Sequence, residues 1–228
     1  MPNWCGNEIL IKGDRESLLE FLEKLKGKRA VYNREPALED SEKQIKYCFN
    51  ALLPVPQDVL AVGYDGQYRF RELREILKKH GLSMPDLGYS TCDESKKERL
   101  QEIATLVQKI KGEDCKKAEK LLSSIISTSD GYHWQIDNWG TKWECDITVD
   151  EDFVRDCEVG ADVEVLMGMY SAWSPPLAFF GNISPMFPKL SFCITYGEEG
   201  CGFSGIFEIK DGEIIQDVSG PYNEYFED

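Results

Sequence analysis

Two stretches of strict alternation limit what this chain can become. Trp143, Cys145, Ile147 and Val149 share one parity against Glu144, Asp146, Thr148 and Asp150, and Val163, Val165, Met167 and Met169 oppose Asp162 and Glu164. Successive side chains of a strand point to opposite faces, so each stretch predicts a strand with one apolar and one acidic face. Ser174-Pro175-Pro176 then opens a helix, Ser174 as its N-cap, with an apolar stripe of Leu177, Phe180 and Ile183 that Pro185 breaks. Leu190, Phe192, Ile194 and Tyr196 form a further strand. Phe203, Phe207 and Ile209 lead into Asp211-Gly212, a type I′ hairpin signal, and the chain returns through 213–217.

The N-terminal part supplies a matching unit. Glu8-Ile9-Leu10-Ile11-Lys12 reads as a strand ended by Gly13; Asp14 caps a helix carrying Leu18, Leu19, Leu22 and Leu25, and 47–53 reads as a second strand closed by Pro54-Val55-Pro56. Between 59 and 128 the period is helical, in Phe70 to Lys79, in Leu100, Ile103 and Ile110, and in Leu121, Leu122, Ile125 and Ile126. Its lysines and arginine, Lys96, Lys97, Arg99, Lys116, Lys117 and Lys120, are nearly balanced by acids. The fold expected is an α+β ferredoxin-like sandwich of the split β-α-β type, two helices on one face of an antiparallel sheet, with a helical insertion and a C-terminal β-hairpin. Residues 1–58 and 129–220 would make that domain, 59–128 the insertion, and 221–228 an acidic tail expected to fray.

Charge is unevenly placed. The chain of 228 residues has 26 basic and 41 acidic side chains, net −15, with 22 of each in 1–136 but 4 against 19 in 137–228. A phosphate backbone selects for the opposite sign, so direct nucleic-acid binding is disfavoured. At 42% hydrophobic the chain can bury a core, yet no run approaches the roughly 18 apolar residues of a membrane helix. The start lacks the basic head and apolar core of a secretory signal, so a cytoplasmic location is expected. The cysteines at 5, 48, 92, 115, 145, 157, 193 and 201 include no C-x-x-C pair, which argues for reduced thiols and against zinc-ribbon or iron–sulfur ligation.

Other motifs carry little chemistry. Gly200-Cys201-Gly202-Phe203-Ser204-Gly205 matches G-x-G-x-x-G, but a strand follows where a dinucleotide loop needs a helix N-terminus. His80 and His133 have no ligand partner three or four residues away, and a His133–Cys145 nucleophilic pair would depend on the fold. Asp150-Glu151-Asp152 lacks the spacing of a calcium loop and reads as a solvated turn. No catalytic residue, metal ligand or cofactor is assigned.

Trp134, Trp139, Trp143 and Trp173 cluster within 40 positions. Trp143 has the inward parity, whereas Trp139 and Trp173 flank elements, where an indole either covers the core edge or offers a recognition surface. If the helices cover the apolar parity, the open sheet face carries Glu144, Asp146, Asp162 and Glu164, where RNA-binding relatives of this fold present aromatics.

Met1-Pro2-Asn3-Trp4-Cys5-Gly6-Asn7, Trp139-Gly140-Thr141-Lys142-Trp143, Ala172-Trp173-Ser174-Pro175-Pro176, Phe187-Pro188-Lys189-Leu190-Ser191-Phe192 and Tyr196-Gly197-Glu198-Glu199-Gly200 with Phe203-Ser204-Gly205 resemble the YubB-type ferredoxin-like family of plasmid- and phage-borne proteins. The resemblance implies the ferredoxin-like fold and a mobile-element origin, and brings no activity or catalytic residue. The long 59–128 insertion and Ser184-Pro185 depart from it. Trp139, Lys142, Trp173, Glu144, Asp146, Asp162, Glu164 and Glu198 are thus the candidate binding residues. The expected role is a non-enzymatic interaction module, its partner a protein with a cationic surface, in one form as an acidic DNA mimic. The alternatives are a nucleic-acid-handling accessory using the insertion lysines and loop tryptophans, and an enzyme with an unrecognised pocket. Hairpin edges leave room for a homodimer.

Overall fold

The computed structural model describes residues 3–33, 44–85 and 93–225. Met1, Pro2, Cys92, the side chain of Lys96 and residues 226–228 of the expected tail lie outside the described residues.

Strand β1 (Trp4–Asp14) starts well before the alternation that reveals it. Asp14 then caps α1 (Arg15–Leu25), its carboxylate accepting from the Ser17 amide at 3.0 Å. Leu18, Phe21, Leu22 and Leu25, spaced along one helical stripe, are fully buried. The next segments depart from expectation. β2 (Gly27–Lys28) and β3 (Gln44–Ile45) pair only with each other, and 47–53, expected as a strand, contains a helical turn, α2 (Phe49–Leu52). A short apolar run bounded by prolines reads alike for a buried strand and a buried helical turn. What fixes the turn is remote in sequence: the Glu144 carboxylate accepts the amides of Phe49 and Asn50 at 2.8 and 2.9 Å, donors that a helix start leaves unpaired.

Four longer helices and one short one follow: α3 (Gln57–Val62), α4 (Gln67–Lys79), α5 (Asp93–Val107), α6 (Glu113–Ser127) and α7 (Gly131–Trp139). Leu73, Leu77, Ile103, Val107, Ile110, Ala118 and Leu122 join α4, α5 and α6 in a buried cluster of their own. Arg69 is buried beside it and donates to the Ser124 and Thr128 carbonyls at 2.7 and 2.9 Å, closing the end of α6.

The second strand of the main sheet in chain order is β4 (Asp146–Val149), at the sheet's edge, followed by α8 (Glu151–Asp156), β5 (Asp162–Ala172), α9 (Leu177–Ile183), a 3₁₀ turn over Ser184–Met186, and β6 (Ser191–Glu198). β7 (Phe203–Lys210) and β8 (Glu213–Pro221) form the hairpin, with Asp211 and Gly212 at φ 50° and 77° as a type I′ turn requires. The sheet order is β4-β5-β1-β6-β7-β8, antiparallel throughout. Taken in chain order, β1-α1-β4-β5-α9-β6 is the ferredoxin-like unit, and residues 26–145 all intervene between α1 and its second strand.

Cys5, Ile9 and Ile11 of β1, Val163 to Met169 in alternation on β5, Phe192 and Ile194 of β6 and Phe207 of β7 pack in one core with Phe21, Phe179 and Phe180 from α1 and α9. Three local expectations need correction. α9 starts at Leu177, after Pro176, and Ser174 is not its cap; its hydroxyl donates to the Gly140 carbonyl at 2.6 Å. Asp150-Glu151-Asp152 opens α8, Asp150 accepting from the Phe153 amide, so it is not a solvated turn. The tail forms α10 (Tyr222–Tyr225), whose Tyr222 and Tyr225 amides donate to Gly202 O and Ser204 Oγ. No helix among the described residues is long and apolar enough to cross a membrane.

Candidate binding surface

The sheet face not covered by α1 and α9 is read directly from the pairing register. Across β4, β5, β1 and β6, one row holds Asp146, Tyr170, Gly6 and Gly197, and the next holds Thr148, Gly168, Glu8 and Thr195. Leu166, Leu10 and Cys193 follow, and then Glu164, Lys12 and Ser191. The face is therefore zoned, aromatic at one end, aliphatic in the middle and charged at the other. Gly6 and Gly197 present no side chain beside Tyr170, whose ring stands 69% exposed. Trp4, also on the outward parity, is 53% exposed.

The tryptophan loops are fixed to this end by a buried polar network. Asn7 donates to Ser171 Oγ at 2.9 Å, Ser171 donates to Ser174 O at 2.8 Å, and Thr141 Oγ1 both donates to Ala172 O and accepts its amide. Gly140, at φ 81°, ends α7 in the left-handed conformation that glycine adopts without strain. A Cβ there would also sit 3.1 Å from Leu177 N and Pro175 O. Trp173 takes φ 74° although it is bulky, held by its amide donating to Asn3 O at 3.0 Å. Trp143 lies 6.3 Å from Trp4, and the Lys142 ammonium sits 4.6 Å from the Trp143 ring centre and 5.1 Å from that of Trp173. A shallow groove of about 340 Å³ runs beside them, walled by Tyr132, Ile136, Ala172 and Trp173.

The candidates from sequence separate into three groups. Lys142, Trp173 and Asp146 share this end with Tyr170 and Trp4. Asp162 and Glu164 stand at the far end of β5, roughly 20–25 Å away along the strand, where Glu164 pairs with Lys12 at 2.8 Å. The acidic residues of the open face do not form one patch. Trp139, Glu144 and Glu198 are corrections to a surface reading. Trp139 is fully buried among Phe49 and Trp134, its indole donating to Leu53 O at 3.1 Å. Glu198 is 2% exposed and its carboxylate accepts the Gly200 and Cys201 amides, closing the glycine-rich turn ahead of β7. Glu144 faces α2, because the strand begins only at Asp146 and the parity of β4 does not reach back through the turn after α7. For the same reason Trp143, expected inside, is 38% exposed.

Burial outweighs both amide donors and Arg29 at Glu144, and pushes its carboxyl up from the ordinary 4.5 to about 7. A raised native value stabilises the fold fully below pH 4.5, and that contribution is lost as pH rises through 7. A carbon-13 NMR titration should place the Glu144 midpoint near 7; a midpoint near 4.5 would show that the amides prevail. Cys5, Cys48 and Cys145 are not activated as nucleophiles. Burial pushes Cys5 and Cys48 up to about 12 and Cys145 far above its usual range, and His133 pairs with Asp130 at 2.6 Å. Among the described residues no group of three His, Cys, Asp or Glu side chains could hold a metal ion.

Trp4, Tyr170, Leu10 and Leu166 are not among the candidate binding residues named from sequence, although Trp4 lies in the N-terminal motif and Leu10 in the first strand. The signal for Tyr170 and Leu166 was present, since both fall opposite Val163, Val165, Met167 and Met169. Trp4 lies beyond the stretch whose apolar alternation marks β1.

Residues 160–228 match the family model described as the ferredoxin-like domain in Api92-like protein. That segment runs from the residue pair before β5 through the hairpin and the tail. The crystal structure of a protein Api92 from Yersinia pseudotuberculosis is similar to the chain at 14% identity, covering 98% of this chain and 99% of that one with a TM-score of 0.43. Among curated proteins none matches.

Proposed function

We propose that the protein is a non-enzymatic interaction module that docks a basic segment of a partner protein across the tryptophan end of its open sheet face. The carrying observation is that Trp4 and Tyr170 stand 53% and 69% exposed on a face they share with the carboxylates of Glu8 and Asp146, and that Trp173, in the loop directly after β5, is 43% exposed. Large rings left in water on a rigid sheet mark an interaction surface. Indole faces attract guanidinium and ammonium groups, and neighbouring carboxylates fix the sign of what approaches. The imbalance of 4 basic to 19 acidic residues in 137–228 acts the same way over longer range. Within the mobile-element setting that the YubB-type resemblance implies, the basic face of a cytoplasmic DNA-binding protein is the partner we favour, the protein standing in for nucleic acid.

One observation favours a second reading. Trp4 and Tyr170 lie on the adjacent central strands β1 and β5, where ring-bearing sheets of this fold stack bases. Calorimetric titration of the protein with an arginine-rich peptide and with oligo-dT, at about 50 and 200 mM salt, separates them. The peptide is expected to bind, oligo-dT not to, and the double variant Trp4→Ala/Tyr170→Ala to weaken the peptide by about tenfold. Oligo-dT binding that this variant abolishes would establish the second reading instead, and a peptide that never binds sinks the first.

A further inference from the structure

The tryptophan end already holds a cation of its own. The Lys142 ammonium lies within about 6 Å of two indole centres, the range of attraction between a cation and an aromatic face. Among the described residues it has no carboxylate within ion-pair distance, so its position is set by the rings. Its backbone is pinned as well: the Lys142 carbonyl accepts the Tyr64 hydroxyl at 2.8 Å, and Thr141 before it is buried and bonded to Ala172 on both sides. Trp173 is kept in a backbone conformation that disfavours bulky residues, a cost that persists where surrounding structure holds a side chain in a needed place. The two rings, one from the loop after α7 and one from the loop after β5, are thus presented to the same ammonium by two segments braced against each other through Thr141–Ala172 and Ser174–Gly140.

Building on the docking proposed above, we infer that Lys142 is the internal occupant of a two-tryptophan cation site, and that a guanidinium or ammonium of the basic partner replaces it on binding. The chemistry that the site accepts is shown by what fills it. Asp146 and Glu8, on the same sheet face, favour an incoming positive charge over an anion. The groove beside Trp173, with Tyr132 and Ile136 on its wall, gives the displacing side chain an apolar approach for its stem. Lys142 released into water can then face the carboxylates of either molecule.

The test titrates the arginine-rich peptide into wild type, Lys142→Ala, Lys142→Arg and Lys142→Ala/Trp173→Ala by calorimetry. Removing the competitor should tighten binding about tenfold, or about 1.4 kcal/mol. Lys142→Arg should stay near wild type, because it restores a competing cation, and loss of Trp173 should cancel the gain. Lys210→Ala, at the charged end of the face, changes net charge equally and should move affinity less than about twofold, which separates displacement from general electrostatics. A peptide that binds wild type and Lys142→Ala alike, or Lys142→Ala more weakly, overturns the inference and leaves the docking face standing. A peptide that binds none of the proteins overturns both. Oligo-dT bound by wild type and lost in Lys142→Ala would make Lys142 a phosphate contact, which also overturns the inference.

Discussion

Replacing Glu151 with glutamine is expected to lower the stability of the protein by about 3 kcal/mol at pH 7. The Glu151 carboxylate is 7% exposed and gathers donors from three separate segments: Lys26 at the end of α1 at 2.8 Å, the Tyr47 hydroxyl at 2.7 Å, and Arg155 on its own helix. Lys46 stands further off at 3.4 Å. Glutamine keeps the shape but loses the charge and one acceptor oxygen, so its N–H₂ group faces either the buried Tyr47 hydroxyl, which then has no acceptor, or the cations Lys26 and Arg155. Lys26 and Arg155 keep 29% and 51% of their exposure, so the loss falls at the low end of what a broken buried pair costs. Hydrogen bonds from Lys26 and Tyr47 hold the carboxyl far below its ordinary 4.5. A depressed native value gives stability that is present above 4.5 and lost as pH falls below it, so the wild-type melting temperature should drop between pH 5 and 3 more than that of the variant. Equal slopes in thermal scans would show that the network contributes nothing.

Phe21→Ala should cost more, about 3–5 kcal/mol, read as a shift of the urea midpoint with little change in slope. Phe21 is fully buried on α1 and meets Phe187 and Phe192 edge-on, with ring centres 5.2 and 5.4 Å away. Truncation therefore removes both the transfer free energy of the ring and two aromatic contacts, and leaves a void walled by rings and by strands of a six-stranded sheet that cannot close around it. Phe21→Leu should recover most of the loss, since it restores volume without the edge contacts. A cost below about 1 kcal/mol for the alanine variant would mean that α1 is not seated on the sheet as described.

Much of the sheet could be read from sequence because its strands alternate. The β5 and β6 parities and the Asp211-Gly212 turn follow from residues two apart or adjacent, and the Asp14 cap from a bond spanning three. The segment 47–53 could not be read this way. The run 47–53 is apolar apart from Asn50 and has no clear period, and the group that makes it helical, Glu144, is about a hundred residues distant. The same residue misled the reading of the site. Its acidic character and its parity with Asp146 placed it on the outer face, whereas the turn after α7 rotates it inward. Trp143 moved outward for the complementary reason. The lysine between the two indoles had no local signature beyond its motif, because Trp173 is brought to it by hydrogen bonds between residues some thirty apart, Thr141 with Ala172 and Ser174 with Gly140.

The position of β1 at the middle of the sheet has a consequence for synthesis. Its two neighbours, β5 and β6, are encoded some 160 and 190 residues later, so at roughly 5–20 residues per second a ribosome delivers them about 10–40 s after β1 has emerged. Through that interval Ile9 and Ile11 have no sheet to enter, while α4, α5 and α6, contiguous and joined by contacts close in sequence, can collapse on their own. The nascent chain thus carries a finished helical cluster and an unsheltered apolar strand together, and the strand is the part that a chaperone would have to cover.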